Sequence, residues 1–333
     1  MIRSLLIRET ACVDPYENLA LEQALLESIR PGECILYLWQ NENTVVIGKN
    51  QNPWKECKTA LLQEEGGKLA RRLSGGGAVF HDLGNLNFTF IVDAQPEQKV
   101  DLRKFCQPIA DTLCALGAKA EVDGRNDILI DGMKVSGNAQ YVRQGRVMHH
   151  GTILFDSDMT VLSQALRPDP AKAQAKGVKS VRSRVTNVRQ CLSRDMTIAQ
   201  FRDALSGSLM AGGFEKYELT QADIAAIQEI QSKRYDQWAW NYGFCEAGAL
   251  IRKRRIEGCG TVEAHITLKN DLITGISFRG DYFSTLPPEE LASLFIGLPL
   301  MEGALRTALE NHRAGDYMTG LENEDLVDLL CGQ

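Results

Sequence analysis

Arg71-Arg72-Leu73-Ser74-Gly75-Gly76-Gly77-Ala78-Val79-Phe80-His81-Asp82-Leu83-Gly84-Asn85-Leu86-Asn87-Phe88-Thr89-Phe90 is the stretch around which the chain is read. Two arginines precede three glycines, and a half-apolar run with a histidine, an aspartate and two asparagines follows. Glycine lets backbone amides approach a ligand, because no Cβ stands in the way. Successive amides in such a turn make a concave anion site, and a neighbouring arginine can grip a phosphate or carboxylate with two parallel bonds. No Gly-Lys-Ser/Thr follows, so the stretch is not a P-loop, and no G-x-G-x-x-G opens a helix. Ala78–Phe80 and Phe88–Val92 read as strands. Glycines between strands serve equally as a hairpin; the arginines and the polar cluster favour a site.

The 333 residues exceed the usual size of one core and predict one large or two unequal domains. A formal charge of -6 argues against general nucleic-acid binding. No apolar run approaches the ~18 residues of a membrane span. Met1–Glu9 lacks a cleavage-like site, so no signal peptide is expected and the chain is expected in the cytoplasm. Nine cysteines without a C-x-x-C suit reduced thiols, not a disulfide framework or zinc ribbon.

Asp14-Pro15-Tyr16-Glu17 starts a helix, with Asp as N-cap, Pro at N1 and Glu at N3. Glu33–Gln40 and Thr44–Gly48 read as strands joined by a turn, and Lys58–Glu65 as a short helix. Leu102–Leu116 predicts an amphipathic helix. Asp131-Gly132 is a type I′ signal between two strands, and Gln144-Gly145 joins two more. Helices follow around 159–166, 197–210 and 224–233. From about residue 250 the pattern changes to a one-faced sheet followed by helices, a separate α+β unit.

Lys134 is the first candidate for chemistry. Strand alternation puts Met133 and Val135 on one face and Lys134 and Ser136 on the other. A strand lysine is ordinarily solvated. Here Ile128-Leu129-Ile130 runs apolar without alternation, which predicts a sheet covered on both faces. A lysine under such cover needs an anion. Asn126-Asp127 reads either as a metal or nucleotide contact or as a strand-entry turn. His81 and His149 are lesser candidates, and no third ligand stands at zinc spacing. Trp54, Trp238 and Trp240 are read as packing. Between Asp169 and Asp195 seven Lys or Arg occur with no acid; the run is a solvated face or a functional loop.

These residues resemble the lipoate-protein ligases, relatives of the biotin protein ligases. Further motifs carry the likeness in order: Ile47-Gly48-Lys49-Asn50-Gln51-Asn52-Pro53-Trp54, Gly124-Arg125-Asn126-Asp127, Lys134-Val135-Ser136-Gly137, His149-His150-Gly151-Thr152 and Ser180–Asn187. The resemblance implies an α+β fold: a large catalytic domain (1–245) of mixed β-sheet with flanking helices, and a small C-terminal α+β accessory domain (250–333). It implies that lipoate attacks ATP to give lipoyl-AMP and pyrophosphate, and that a lysine of an acceptor domain then takes the acyl group. It makes Lys134 the catalytic lysine. It assigns ATP and adenylate to Arg71, Gly76, Gly77, Ala78, Val79, Asn126, Asp127, Lys134, Lys179 and Arg182. It assigns lipoate to Arg71, Ser74, Gly75, Gly76, His81, Lys134 and His149. Asp127 is the expected Mg2+ ligand. The partners implied are lipoyl domains of 2-oxoacid dehydrogenase E2 subunits and the glycine cleavage H protein, with no nucleic acid, no membrane and a monomeric enzyme; the basic run would close over the adenylate. Two alternatives stay open. An octanoyl- or lipoyl-transferase would use a cysteine and no ATP, but Asp123–Asp127 lacks cysteine. Cys114, the nearest, falls in a helix pattern expected to bury it. A non-catalytic protein binding nucleotide or a lipoyl domain is the other.

Overall fold

A computed structural model of the chain describes residues 3–7, 12–58, 62, 66–93, 103–123, 127–166, 185–242, 250–269 and 272–332. Its first helix, α1 (Pro15–Ser28), forms where the cap signal predicts. The Asp14 carboxylate accepts from the amides of Tyr16 and Glu17, at 2.8 and 3.3 Å. Such a cap contributes about 1 kcal/mol.

Fourteen strands are described. In chain order they are β1 (Arg3–Ile7), β2 (Glu33–Trp39), β3 (Thr44–Ile47), β4 (Lys68–Arg71), β5 (Val79–His81), β6 (Asn85–Asp93), β7 (Ala120–Asp123), β8 (Asp127–Ile130), β9 (Met133–Arg143), β10 (Arg146–Leu154), β11 (Phe214–Lys216), β12 (Leu250–Ile256), β13 (Gly260–Lys269) and β14 (Leu272–Gly280). Eight form a mixed sheet in the order β11-β1-β2-β6-β10-β9-β8-β7. Its β1 runs parallel to both neighbours and the other pairs are antiparallel. Both predicted turns have their central residues at positive φ: Asp131 and Gly132 at 49° and 76°, Gln144 and Gly145 at 51° and 76°. That is the type I′ geometry whose twist suits a hairpin.

Alternation sorts the large sheet's side chains onto two faces. Leu36, Leu38, Phe88 and Phe90 pack beneath the helices at 103–115 and 198–211, against Phe105, Ile109, Phe201 and Leu205. Ile35, Tyr37 and Trp39 face α1 and the helical segment 221–235. The centre of the sheet is therefore covered on both sides; at β8, where the apolar run at 128–130 predicts the same, Ile128 and Ile130 are buried and Leu129 is only half-buried.

Strands β2 and β3 do not pair with each other. The turn after Trp39 carries the chain into a second sheet, ordered β4-β3-β5, with β3 parallel to β4 and antiparallel to β5. The three glycines accordingly do not close a hairpin between adjacent strands. They connect β4 to β5 on opposite sides of β3. The expected helix at 58–65 lies mostly outside the described residues.

Residues 250–332 form a three-stranded sheet, β12-β13-β14, on which short helices pack around their own core of Val262, Ile266, Phe278, Tyr282, Phe295 and Leu326. The fold is thus a mixed α+β catalytic domain with a large mixed sheet, plus a C-terminal domain. The two touch at the glycine loop. The Gly76 amide donates to the Tyr282 carbonyl (3.2 Å), and the Gly280 amide to the Asn50 carbonyl (2.7 Å).

Candidate active site

A cavity of about 260 Å3 lies between the α1 face of the large sheet and the small β4-β3-β5 sheet. Its walls include the loop from Gly76 to Val79, Arg72 and His81 on one side, and Trp39, Asn87, His150, Thr152 and Lys134 on the other. Phe283 of the C-terminal domain also lines it.

The glycine loop is shaped by Arg72. Its guanidinium is buried and donates to Ser74 Oγ (3.0 Å) and to the carbonyls of Val46, Gly75 and Gly77 (3.2, 2.7 and 2.8 Å). Burial lowers its pKa to about 10, which still leaves it charged at neutral pH. Two glycines are dictated by close approach. A Cβ on Gly75 would stand 2.1 Å from the Tyr282 carbonyl oxygen, and one on Gly48 would stand 2.3 Å from that of Gly76.

Arg71 is placed differently from the expectation. It is absent from the cavity wall. Its guanidinium points behind the loop and donates to the carbonyls of Gly48, Lys49, Gln51, Trp240 and Asn241. Burial first, and the charge of Arg279 second, lower its pKa to about 10. Alternation places Arg71 on the inner side of β4; the residue that turns into the cavity is the next one. Ser74 and Gly75 also stand behind the wall.

The two histidines of β10 fall on opposite faces. His149 points into the helical core, stacked on Phe105 at 5.0 Å, with Cys106 Sγ 3.7 Å from its Nε2. Burial lowers its pKa to about 3. His150 is the one that faces the cavity. Its Nε2 is 2.6 Å from Ser74 Oγ and its Nδ1 3.0 Å from Glu22 Oε1, while Thr89 Oγ1 donates to the same carboxylate oxygen of Glu22. A buried chain Ser74–His150–Glu22–Thr89 thus runs beneath α1, and of its members His150 lines the cavity. The sequence carried the signal: Val147 and Ile153 alternate with His149, so Met148, His150 and Thr152 share the other face.

Lys134 is on the cavity wall, paired with Asp127 Oδ1 at 2.8 Å. The simple alternation around it is broken. Ile128 pairs with Ser136 and Leu129 with Lys134, so Val135 is an extra residue, a β-bulge. Val135 is buried as expected, but Met133 is exposed. The bulge re-aims Lys134, whose Nζ lies 2.9 Å from where a Gly137 Cβ would be. Thr186, within the basic run, donates its amide to the Lys134 carbonyl (3.0 Å). Asn126, Lys179 and Arg182 lie outside the described residues. Of the run's other charges, Arg189 is held by Asp156 and Asp195 on the surface. His81 lines the cavity, and burial, then Arg72 and His150, lower its pKa to about 3.

Cys114 is exposed, not buried, and its thiol donates to the Ala120 carbonyl at 3.3 Å. No cysteine is among the described residues that line the cavity. Trp238, read as packing, stands out in solvent, stacked on Tyr242.

A glycine loop, a lysine opposite it and an apolar cavity make an arrangement suited to holding a small acid beside a phosphate. The chain belongs to the lipoyl protein ligase A/B family: residues 14–210 match that family's catalytic domain, and residues 249–330 match the bacterial lipoate protein ligase C-terminus. It is 37% identical to the Bacillus subtilis lipoate-protein ligase LplJ over 95% of this chain and 97% of that one. A bipartite lipoate protein ligase from Thermoplasma acidophilum, solved in a study with its E2 lipoyl domain, superposes with a TM-score of 0.65 at 28% identity, over 75% of this chain and all of that one. A lipoate-protein ligase A bound with ATP gives 0.64 at 27% identity, over 73% of this chain and all of that one.

Proposed function

We propose that the protein activates lipoate with ATP and transfers the lipoyl group to a lysine of a lipoyl domain. The observation that carries this reading is the position of Lys134 in the same cavity as the Gly76–Val79 loop, with an apolar chamber running from it toward His150, which Ser74 and Glu22 hold from behind. An acid seated in that chamber presents its carboxylate to the lysine. The nucleotide's α-phosphate then lies between the lysine and the loop amides.

The two steps follow from that arrangement. A carboxylate oxygen attacks the α-phosphorus, and pyrophosphate leaves. Negative charge collects on the non-bridging oxygens, where a fixed ammonium and aligned amides stabilise it. Such a transfer depends on positioning, and no covalent protein intermediate is needed. Asp127 neutralises Lys134 and must yield it to substrate. Mg2+ bound chiefly through phosphates and water needs only one or two carboxylates; Asp127 fits that part, and the ion would screen the polyphosphate. Lys179 and Arg182 are assigned to the adenylate phosphate.

The division is drawn as 1–245 for catalysis and 250–333 for the accessory domain. The acceptors are E2 lipoyl domains and the glycine cleavage H protein, and the enzyme acts as a cytoplasmic monomer. No helix among the described residues is long and apolar enough to cross a membrane. With lipoate, ATP and Mg2+, an apo lipoyl domain should gain the mass of one lipoyl group while AMP and pyrophosphate appear. Equal modification from an acylated carrier protein without ATP would identify a transferase instead.

A further inference from the structure

Glu22 is a buried carboxylate that does not itself line the cavity. It sits in the middle of α1, one turn past Leu19, which does. Only 2% of its surface is exposed, and no Lys or Arg among the described residues is paired with it. A buried charge is kept only where its surroundings hold it. Here they are Thr89 and His150, and the chain of bonds goes further than these two.

The directions of those bonds follow from the groups that can only donate. Trp39 Nε1 donates to Thr89 Oγ1 (2.9 Å), so the Thr89 hydroxyl is free to donate to Glu22 Oε1. At the other end Arg72 Nε donates to Ser74 Oγ (3.0 Å), so the Ser74 proton needs an acceptor of its own. Ser74 is 1% exposed, and the acceptor the structure gives it is His150 Nε2, at 2.6 Å. That ring nitrogen therefore carries no proton. The proton of the neutral ring sits on Nδ1 and points at Glu22, 3.0 Å from Oε1 and 3.3 Å from Oε2. The opposite tautomer would put two donors on Ser74 Oγ and leave the Ser74 proton buried without an acceptor, which is costly.

Two buried charges thus end the chain, the Glu22 carboxylate and the Arg72 guanidinium, with neutral His150 and Ser74 between them. Arg72 gives its other hydrogens to the carbonyls of Gly75, Gly77 and Val46. Burial lowers its pKa, and the Glu22 charge opposes that. The capped helix α1 is a rigid mount for the carboxylate.

We propose that Glu22 is a positioning residue for adenylation. It holds His150 as the Nδ1–H tautomer, His150 holds Ser74, and Ser74 holds Arg72, which sets the glycine loop. Glu22 touches neither the acid nor the nucleotide. Its effect arrives as the aim of the loop, where a displacement of about 1 Å can cost on the order of 100-fold in rate.

This assignment rests on the ligase reading, and the two can fail separately. The tautomer is read without substrate, from the NMR shifts of the ring nitrogens, with His150→Gln assigning them among the five histidines. The wild-type protein should show Nδ1 protonated and Nε2 bare. Lipoate-dependent ATP–pyrophosphate exchange reads adenylation. Glu22→Leu removes the acceptor; it should slow exchange about 100-fold and move the His150 proton to Nε2. Glu22→Gln keeps one oxygen for both the Thr89 hydroxyl and His150 Nδ1–H. It should return the proton to Nδ1 and bring exchange back to within about tenfold of wild type. Ser74→Ala cuts the chain further along, so exchange should fall while the proton stays on Nδ1. The double variant Glu22→Leu/Ser74→Ala should be no more than about threefold slower than the slower single variant, because both act on one path. If Glu22→Leu does not fold, the wild-type tautomer and Ser74→Ala still decide. An Nε2–H ring in the wild type, wild-type exchange in a folded Glu22→Leu or Ser74→Ala variant, or a double variant slowed by the product of the single losses overturns the relay alone. A wild-type protein with the Nδ1–H ring but no lipoate-dependent exchange overturns the ligase reading, and this assignment with it.

Discussion

Methionine in place of Arg72, and separately in place of Arg71, distinguishes the arginine that shapes the cavity from the one that braces its back. Arg72→Met takes the guanidinium from three carbonyls and from the Ser74 hydroxyl, which keeps His150 as a partner. Hydrogen bonds to a charged group contribute about 1.5–3 kcal/mol each. The carbonyls of Gly75 and Gly77 adjoin the cavity, so water can replace part of that. A net loss of about 3–5 kcal/mol, the usual cost of removing one member of a buried charged network, is expected. At roughly 2–4 °C per kcal/mol the melting temperature should fall by about 10 °C or more. Arg71→Met takes the guanidinium from five carbonyls, of which that of Gly48 keeps the Gln51 amide, and should cost at least as much stability. Activity should separate the two. Below both melting transitions, lipoate-dependent ATP–pyrophosphate exchange should drop at least about 100-fold in Arg72→Met, because the loop amides lose their aim. Arg71→Met should stay within about tenfold. The opposite ranking, in two variants shown to be folded by circular dichroism, would refute the division of labour drawn here.

Acid should destabilise the enzyme through its buried histidines. His81 and His149 are held neutral, their folded pKa values lowered to about 3 from an ordinary 6.5. A histidine with a depressed folded pKa stabilises fully above 6.5 and loses that contribution as pH falls from 6.5 toward 3. The slope is up to about 1.4 kcal/mol per pH unit for each proton. His149→Phe should therefore flatten the fall of melting temperature between pH 6.5 and 4, and an unchanged slope would show that His149 titrates normally. Gly75→Ala sets a methyl 2.1 Å from the Tyr282 carbonyl oxygen; it should lower the melting temperature and loosen the C-terminal domain, read as faster amide exchange at Gly76, and native protection there would contradict the contact. Cys114→Ala should leave turnover unchanged within about twofold, since the residue is exposed and away from the cavity; loss of activity at an unchanged melting temperature would revive a covalent acyl-enzyme.

Local chemistry was the legible part of the sequence. The Asp14 cap and the two type I′ turns depend on a few adjacent residues, and the structure has them where the sequence places them. The Gly75 and Gly77 carbonyls show why the loop needed an arginine, but which of two neighbours supplied it was a question of facing. Arg71 ends β4 and Arg72 is the next residue out, so one residue of offset separates the brace from the cavity wall. The same one-residue offset separates His149 from His150, and there the alternation of Val147 and Ile153 would have decided it. At Lys134 alternation itself fails, because a bulge adds Val135 to one strand only. Glu22 and Phe283 were not legible at all. One backs His150 from α1, and the other, in the C-terminal domain, lies 149 residues beyond Lys134 in sequence. Tertiary packing alone brings them to these places.

The central claim is that Lys134 and the glycine loop make an acyl-adenylate from lipoate. The most direct measurement is exchange of labelled pyrophosphate into ATP, with and without lipoate and with no acceptor present, for the wild-type enzyme and Lys134→Ala. Exchange should require lipoate, and the alanine variant should be slower by roughly 10²–10³, the usual loss on removing one fixed group from the developing charge. Lipoate-independent exchange, or a folded Lys134→Ala variant with wild-type exchange, would contradict it.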